Sequence, residues 1–259
     1  MRRQFIHFWL FLIACFSLAL PAQAAEQLTV AAASDLQFVL AELNQAFTRA
    51  HPGVNIKVST GSSGNFFAQI SQGAPFDLFL SADVKYPRAL ADKGEALPDS
   101  LMPYAVGRLA LWTLNPRLDP AQGLSMLRDP AVKRIAIANP AHAPYGRAAR
   151  EALSKAGLLP ALQGKLVMGE NISQTAQFVQ SGNVDAGLVA LSLLRSPKLQ
   201  GQGRYWLIPA DSYTPLEQAA IITRYGAKNP DAREYMAFLK SPAARQVFIR
   251  NGFTLPGEG

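Results

Sequence analysis

Two hydrophobic periods alternate along the chain and predict an α/β protein, its mainly parallel sheets covered by helices. Short apolar or alternating runs stand at residues 28–33, 56–59, 78–81, 108–114, 134–138, 165–168, 186–191 and 219–223, with helical patterns between most of them. No repeat of fixed period and no low-complexity tract interrupts this order. The length suffices for one large core or two smaller ones. Two proline-containing stretches, 103–107 and 209–215, are candidate crossings between two lobes. If both cross, residues 106–209 form lobe II, while 25–105 and 210–259 share lobe I.

Ahead of the first strand run lies a targeting pattern. Arg2 and Arg3 precede an almost unbroken apolar run over residues 8–20, and Pro21-Ala22-Gln23-Ala24 offers a small-x-small cleavage site. Residues 1–24 therefore read as a cleaved secretory signal, which places the mature chain in the periplasm. The apolar run falls short of the ~20 residues of a membrane span. Leu12-Ile13-Ala14-Cys15 resembles a lipoprotein processing box, but a cut before Cys15 would leave the apolar start Cys-Phe-Ser-Leu-Ala-Leu where a polar tether is expected.

Cys15 is the chain's single cysteine, so the mature form is expected to hold no disulfide, thiol nucleophile or cysteine-held metal. His7 lies in the signal, and His51 and His142 stand far apart in no ligand-like spacing. The 25 Lys and Arg exceed the 18 Asp and Glu, but two of the positives, Arg2 and Arg3, leave with the signal. The rest are scattered singly, without the basic block of a nucleic-acid binder. A mild positive field favours the approach of an anion.

After the first strand, Leu36, Val39, Leu40, Leu43 and Phe47 fall at i, i+3, i+4, i+7 and i+11, the apolar face of a helix that ends before His51-Pro52-Gly53. Near the C-terminus, residues 230–251 read as helix with Asn229 as cap and a break at Ser241-Pro242.

Four strand-to-helix junctions are rich in small or polar residues. Ser34 and Asp35 follow the first strand, and Ser62-Ser63-Gly64 follows the second within Ser59-Thr60-Gly61-Ser62-Ser63-Gly64-Asn65. Pro144-Tyr145-Gly146 follows the strand at 134–138, and Glu170-Asn171-Ile172 the strand at 165–168. Each would set first-turn N–H groups and the positive end of a helix dipole at the carboxyl end of a parallel strand, where open α/β sheets bind ligands. Two such ends from each lobe, facing across a cleft, would cage a small anion. Taken singly, Ser34 and Ser63 also read as helix caps, Tyr145 as a surface aromatic and Ile172 as a hydrophobic staple.

Catalysis is not indicated. The hydroxyl-rich junctions carry no His, Lys or Glu in a recognisable nucleophile–base motif. His142 reads as a loop histidine in a structural hydrogen bond, and Asp35 as a first-turn acid turned outward to favour the helix dipole. Gly61-Ser62-Ser63-Gly64 lacks the lysine and the spacing of a P-loop.

Thr29-Val30-Ala31-Ala32-Ala33-Ser34-Asp35-Leu36, the stretch 59–83 with Gly73-Ala74-Pro75-Phe76-Asp77-Leu78-Phe79-Leu80-Ser81-Ala82-Asp83, the stretch 139–153 with Pro144-Tyr145-Gly146, and the closing residues 247–256 together resemble the periplasmic molybdate-binding proteins of ABC transporters. The resemblance runs in one order from about Leu28 to Pro256. It implies a two-lobed periplasmic binding protein with a hinged cleft, monomeric and not an enzyme. It further implies capture of molybdate or tungstate as an intact dianion held through its oxygens, without protein–metal ligands or cofactor, and delivery to a membrane permease. By position, Ser34 and Ser63 would donate through hydroxyl and backbone N–H, and Tyr145 and Ile172 through backbone N–H. Ser62, Gly64 and Gly146 would shape the turns. Ala190 stands where some members carry a tyrosine; others, like this chain, have the tyrosine in the Pro-Tyr-Gly turn, so the Tyr145 hydroxyl is also expected to reach the anion. A binding protein for another oxyanion such as sulfate is the alternative.

Overall fold

The computed structural model describes residues 27–257. Residues 1–24, read above as a signal, with Arg2, Arg3 and Cys15, lie outside the described residues. Strands β1 (Gln27–Ala33), β2 (Asn55–Gly61), β3 (Leu78–Ser81), β4 (Met102–Gly107) and β5 (Leu109–Thr113) are followed by β6 (Ile135–Ala138), β7 (Leu166–Gly169), β8 (Ala186–Ala190), β9 (Arg204–Leu207) and β10 (Leu216–Ile222). Between and after them lie α1 (Gln37–Ala50), α2 (Ser63–Ser71), α3 (Lys85–Asp92), α4 (Pro144–Lys155), α5 (Leu159–Leu162), α6 (Ile172–Gln180), α7 (Leu191–Leu194), α8 (Pro230–Leu239) and α9 (Pro242–Arg250).

The strands form two five-stranded sheets, ordered β2-β1-β3-β10-β4 and β7-β6-β8-β5-β9. In the first, β1 pairs parallel with β2 and β3, and β10 runs antiparallel to β3 and β4. The second repeats this plan: β6 is parallel to β7 and β8, and β5 is antiparallel to β8 and β9. The chain enters the second sheet between β4 and β5 and returns between β9 and β10. The first sheet thus takes its fourth strand, β10, from beyond the excursion, while the second is built from one continuous stretch, β5 to β9. Residues 103–107, expected as a crossing segment, are most of β4. Pro103 is tolerated because β4 is an edge strand, and its side chain is exposed.

A shared device locks both sheets. Asp77, just before β3, accepts from the backbone N–H and the hydroxyl of Thr29 on β1, both at 2.6 Å. Asp185, just before β8, accepts from the N–H groups of Lys133 and Arg134 at 2.7 and 2.9 Å, just before β6. In each case a carboxylate closes the gap between the first and third strands of a parallel trio, where ladder bonding ends.

Both faces of the first sheet are covered, which explains why β1 is apolar at nearly every position. Leu28, Val30 and Ala32 face a core with Leu36, Val39, Leu40, Leu43 and Phe47, the predicted helical stripe. Ala31 turns the other way, against Phe66, Ile70 and Phe79. Phe47 meets Tyr235 of α8 edge to face at 5.0 Å, which ties the C-terminal helices to α1. Burying each such side chain contributes roughly 1.5–3 kcal/mol. Asn229 caps α8, accepting from Asp231 N–H, and Ser241 caps α9 after the predicted break. Among the described residues no helix is long and apolar enough to cross a membrane.

Candidate functional site

All four predicted junctions come together. Ser34, Ser62, Ser63, Tyr145 and Ile172 line one small cavity with Ala33, Asp35, Gly61, Ala82, Ala143 and Pro144. The walls come from the carboxyl ends of β1, β2 and β3 on one side and of β6 and β7 on the other, the arrangement that parallel strands followed by helices produce. No lysine, arginine or histidine lines it.

Capping does not account for the two key serines. Ser62, not Ser63, caps α2, its Oγ accepting from Asn65 N–H at 3.4 Å. Ser63 is the first residue of α2 and fully buried, and its Oγ accepts from Ala82 N–H at 3.0 Å. That bond occupies a lone pair and leaves the hydroxyl proton free to donate. Ser34 opens a 3₁₀ turn (Ser34–Leu36) that leads into α1. Its Oγ donates to Asn171 Oδ1 at 3.1 Å and accepts from Ser173 N–H at 3.2 Å, bridging to the second sheet's helix α6. Asn171 is itself the cap of α6, accepting from Gln174 N–H at 3.0 Å. Ser63 and Ile172 open their helices and Tyr145 is the second residue of α4. N–H groups at such positions have no carbonyl within the helix to bond.

The two sheets' elements also clasp one another around the cavity. Gly64 N–H donates to the His142 carbonyl at 2.9 Å, and the His142 ring sits 2.8 Å from Ser62 Oγ and 3.4 Å from Glu170. His142 thus makes the structural bond expected of it. At the rim, Arg147 of α4 pairs with Asp83 at 2.6 Å and reaches the Tyr86 hydroxyl at 3.1 Å. Gly64 and Gly146 do not line the cavity; they permit close approach instead. A Cβ on Gly146 would stand 2.1 Å from the Ala138 carbonyl oxygen, so glycine is required for α4 to pack at the end of β6. Ala190 is fully buried at the end of β8 and is not among the lining residues.

Two expectations are corrected. Asp35 does not turn outward to solvent: it is 1 % exposed and lies beneath the cavity. Its Oδ2 accepts from the Tyr145 hydroxyl at 3.0 Å and from the Gln218 amide. Gln218 is oriented by the Tyr104 hydroxyl, which donates to its Oε1 at 2.9 Å. Burial pushes the Asp35 carboxyl up to about 6, against the lowering pull of its bonds to Gln218 and Tyr145. The Tyr145 hydroxyl, expected to point at a guest, gives its proton to Asp35 here, because the buried carboxyl is the stronger acceptor within reach. Burial, and then the nearby Asp35 charge, hold the Tyr145 phenol well above its ordinary value, so it stays a donor. Gln218 was not singled out in the sequence, and Asn171, Asp83 and Arg147, though they lie in the quoted stretches, were given no role there.

Two α/β units that close on a small cavity free of cationic side chains and rimmed by helix N-termini define a two-part binding protein for a small solute. The chain belongs to the bacterial extracellular solute-binding protein family, whose model matches residues 28–254. That is a family of binding proteins, not enzymes. It is 41% identical over 239 residues to the molybdate-binding protein of Azotobacter vinelandii (92% of this chain, 93% of the relative). It is 38% identical over 236 residues to that of Rhodobacter capsulatus (91% of each). The solved Azotobacter vinelandii periplasmic molybdate-binding protein superposes with a TM-score of 0.83 at 37% identity, covering 88% of this chain and 99% of that one. A sulfate-binding protein of Mycobacterium tuberculosis shares the fold at 13% identity, with a TM-score of 0.69 over 90% of this chain and 88% of that one.

Proposed function

We propose that this protein captures molybdate, and tungstate equally, as an intact dianion and hands it to the permease of an ABC transporter in the periplasm. The observation that carries the reading is a cavity lined by serine hydroxyls and helix first turns from both sheets, with no cationic side chain. A fully deprotonated tetrahedral anion needs donors only, and neutral donors avoid tying release to the escape of a counter-ion. The two relatives near 40% identity are both named for molybdate binding, which favours it over sulfate. Ser34, Ser63, Tyr145 and Ile172 are the proposed contacts, the tyrosine through its backbone N–H. Ser34 would turn its hydroxyl from Asn171 toward the anion. The units built on the two sheets act as lobes, with crossings between β4 and β5 and between β9 and β10, and residues 1–24 serve as the export signal of a monomeric mature protein.

Titration calorimetry on the ligand-free protein is expected to show tight molybdate and tungstate binding, with sulfate and phosphate far weaker. Molybdate and tungstate are nearly equal in size and both larger than sulfate, so cavity volume separates only the latter. Sulfate affinity equal to molybdate's would overturn the assignment. Ser63→Ala should weaken molybdate binding by about 1–3 kcal/mol, roughly 5- to 150-fold, by removing a donor to a charged acceptor. An unchanged Kd would take Ser63 out of the site.

A further inference from the structure

Asp35 presents an asymmetry that the oxyanion reading leaves unexplained. Both side-chain donors that reach its carboxyl, the Tyr145 hydroxyl and the Gln218 amide, fall on Oδ2, while the backbone N–H groups of Asp35 and Leu36 pull on the carboxyl more weakly. Oδ1 is buried without a hydrogen-bond partner, in a residue that lines the cavity. An ionised carboxylate accepts on both oxygens, whereas a neutral carboxyl has one acceptor oxygen and one hydroxyl that needs an acceptor. The observed pattern matches the neutral form, with Oδ2 as the carbonyl serving two donors and Oδ1 as the hydroxyl. The missing acceptor is what a tetrahedral oxyanion in the cavity supplies.

The charges around Asp35 point the same way. The titratable groups facing it are the phenols of Tyr145 from α4 and Tyr104 from β4, with Tyr213, between β9 and β10, acting on Tyr145. Burial holds all three phenols above their ordinary value, so they stay neutral. No cationic side chain is among the groups that shift Asp35. The ionised carboxyl is favoured only by hydrogen bonds, from Gln218, Tyr145 and the backbone N–H groups of Asp35 and Leu36, which burial outweighs, so a dianion beside it would meet a negative charge that no cation offsets.

We propose that Asp35 is a specificity-determining contact that takes up one proton from solvent as the anion binds and donates it through Oδ1 to an anion oxygen. This rests on the oxyanion reading above. Without the anion, burial already brings the carboxyl to about 6, so near neutrality the proton is within easy reach. Above that range the ionised carboxylate is an acceptor and disfavours a fully deprotonated guest.

The test is calorimetry of sodium molybdate binding to the ligand-free protein between pH 6 and 8.5, in two buffers of different ionisation enthalpy. Uptake of close to one proton per anion at pH 8 is expected, with Kd rising about tenfold per pH unit above 6.5. Asp35→Asn can keep its carbonyl toward Tyr145 and Gln218 and present its NH₂ where Oδ1 stood. It should bind at least tenfold tighter than the wild type at pH 8, with a flat pH profile. Molybdate binding without proton uptake and with a flat wild-type Kd would overturn the proposal alone; absence of binding at every pH would overturn the oxyanion reading and this proposal with it. The proton count on the wild type decides the matter even if the variant fails to fold.

Discussion

Gly64→Ala is expected to weaken molybdate binding by at least 100-fold, about 2.7 kcal/mol or more. The added Cβ would stand 2.7 Å from the His142 carbonyl oxygen and 2.8 Å from its Cα, both backbone atoms that cannot swing aside. Gly64 belongs to α2 at the edge of the first sheet, and His142 to the segment between β6 and α4 of the second. The methyl group is therefore a wedge between the two halves of the cleft. It would also displace the Gly64 N–H bond to His142 and the neighbouring contact of His142 with Ser62. Gly64 is the second residue of α2, where alanine suits the helix itself at least as well as glycine. A mutation that merely damaged folding would lower the ligand-free melting temperature. On the proposed two-lobe reading, with the lobes parted when no anion is bound, a wedge would leave it level and keep the cleft from closing. Calorimetry gives the affinity loss, thermal melts without anion give the stability, and small-angle scattering with excess molybdate should retain the ligand-free radius of gyration. Near-wild-type affinity would show that closure of these elements is not needed for capture.

How far the sequence showed this arrangement depended on whether local pattern or distant partners decide each part. The stripe Leu36, Val39, Leu40, Leu43, Phe47 is a local signal, and it is the buried face of α1 and the turn before it. The runs at 28–33 and 78–81 are apolar at nearly every position because helices cover both faces of their sheet, so they stood out as strands. β4 and β9 are edge strands; one carries Pro103, and the other is largely exposed over Arg204 and Tyr205, so neither shows the period of a half-buried strand. The shared plan of the two sheets is a matter of strand order and of the Asp77 and Asp185 staples, and it leaves no sequence repeat. At the site, the four junctions that hold Ser34, Ser63, Tyr145 and Ile172 were legible because a strand end followed by a helix start is a local event, whereas the choice of those four residues within them rested on the family resemblance. Asp35 was misread because its surroundings are set by Tyr145 and Gln218, 110 and 183 residues away. A first-turn acid looks the same in sequence whether it faces water or a buried amide.

Asp35→Asn should make the ligand-free protein more stable at pH 7.5 and no more stable at pH 4. The sign follows from the direction of the shift. Burial raises the carboxyl from 3.8 to about 6, so between those values the native state binds more protons than the unfolded chain, and stability falls as pH rises through that window. Below pH 4 both states are protonated and the cost is absent. Above pH 6 both are ionised and it is fully present, at about 3 kcal/mol for a shift of roughly two units. The bonds from Gln218 and Tyr145 are already counted in that net value, since they lower the carboxyl against burial and lose. Asparagine has nothing to ionise and can keep its carbonyl toward both donors, so it removes the cost. For a chain of this size about 3 kcal/mol corresponds to a gain of roughly 6–12 °C in melting temperature at pH 7.5, shrinking toward zero as the pH approaches 4. Thermal melts of both proteins without anion across that range measure it. A variant that melts lower than the wild type at pH 7.5, or whose difference does not change with pH, would mean that Oδ1 is served by a donor in solution. The same burial that makes Asp35 costly in the empty protein leaves it able to gain a proton when a dianion arrives, so the residue trades ligand-free stability for a contact made only in the complex.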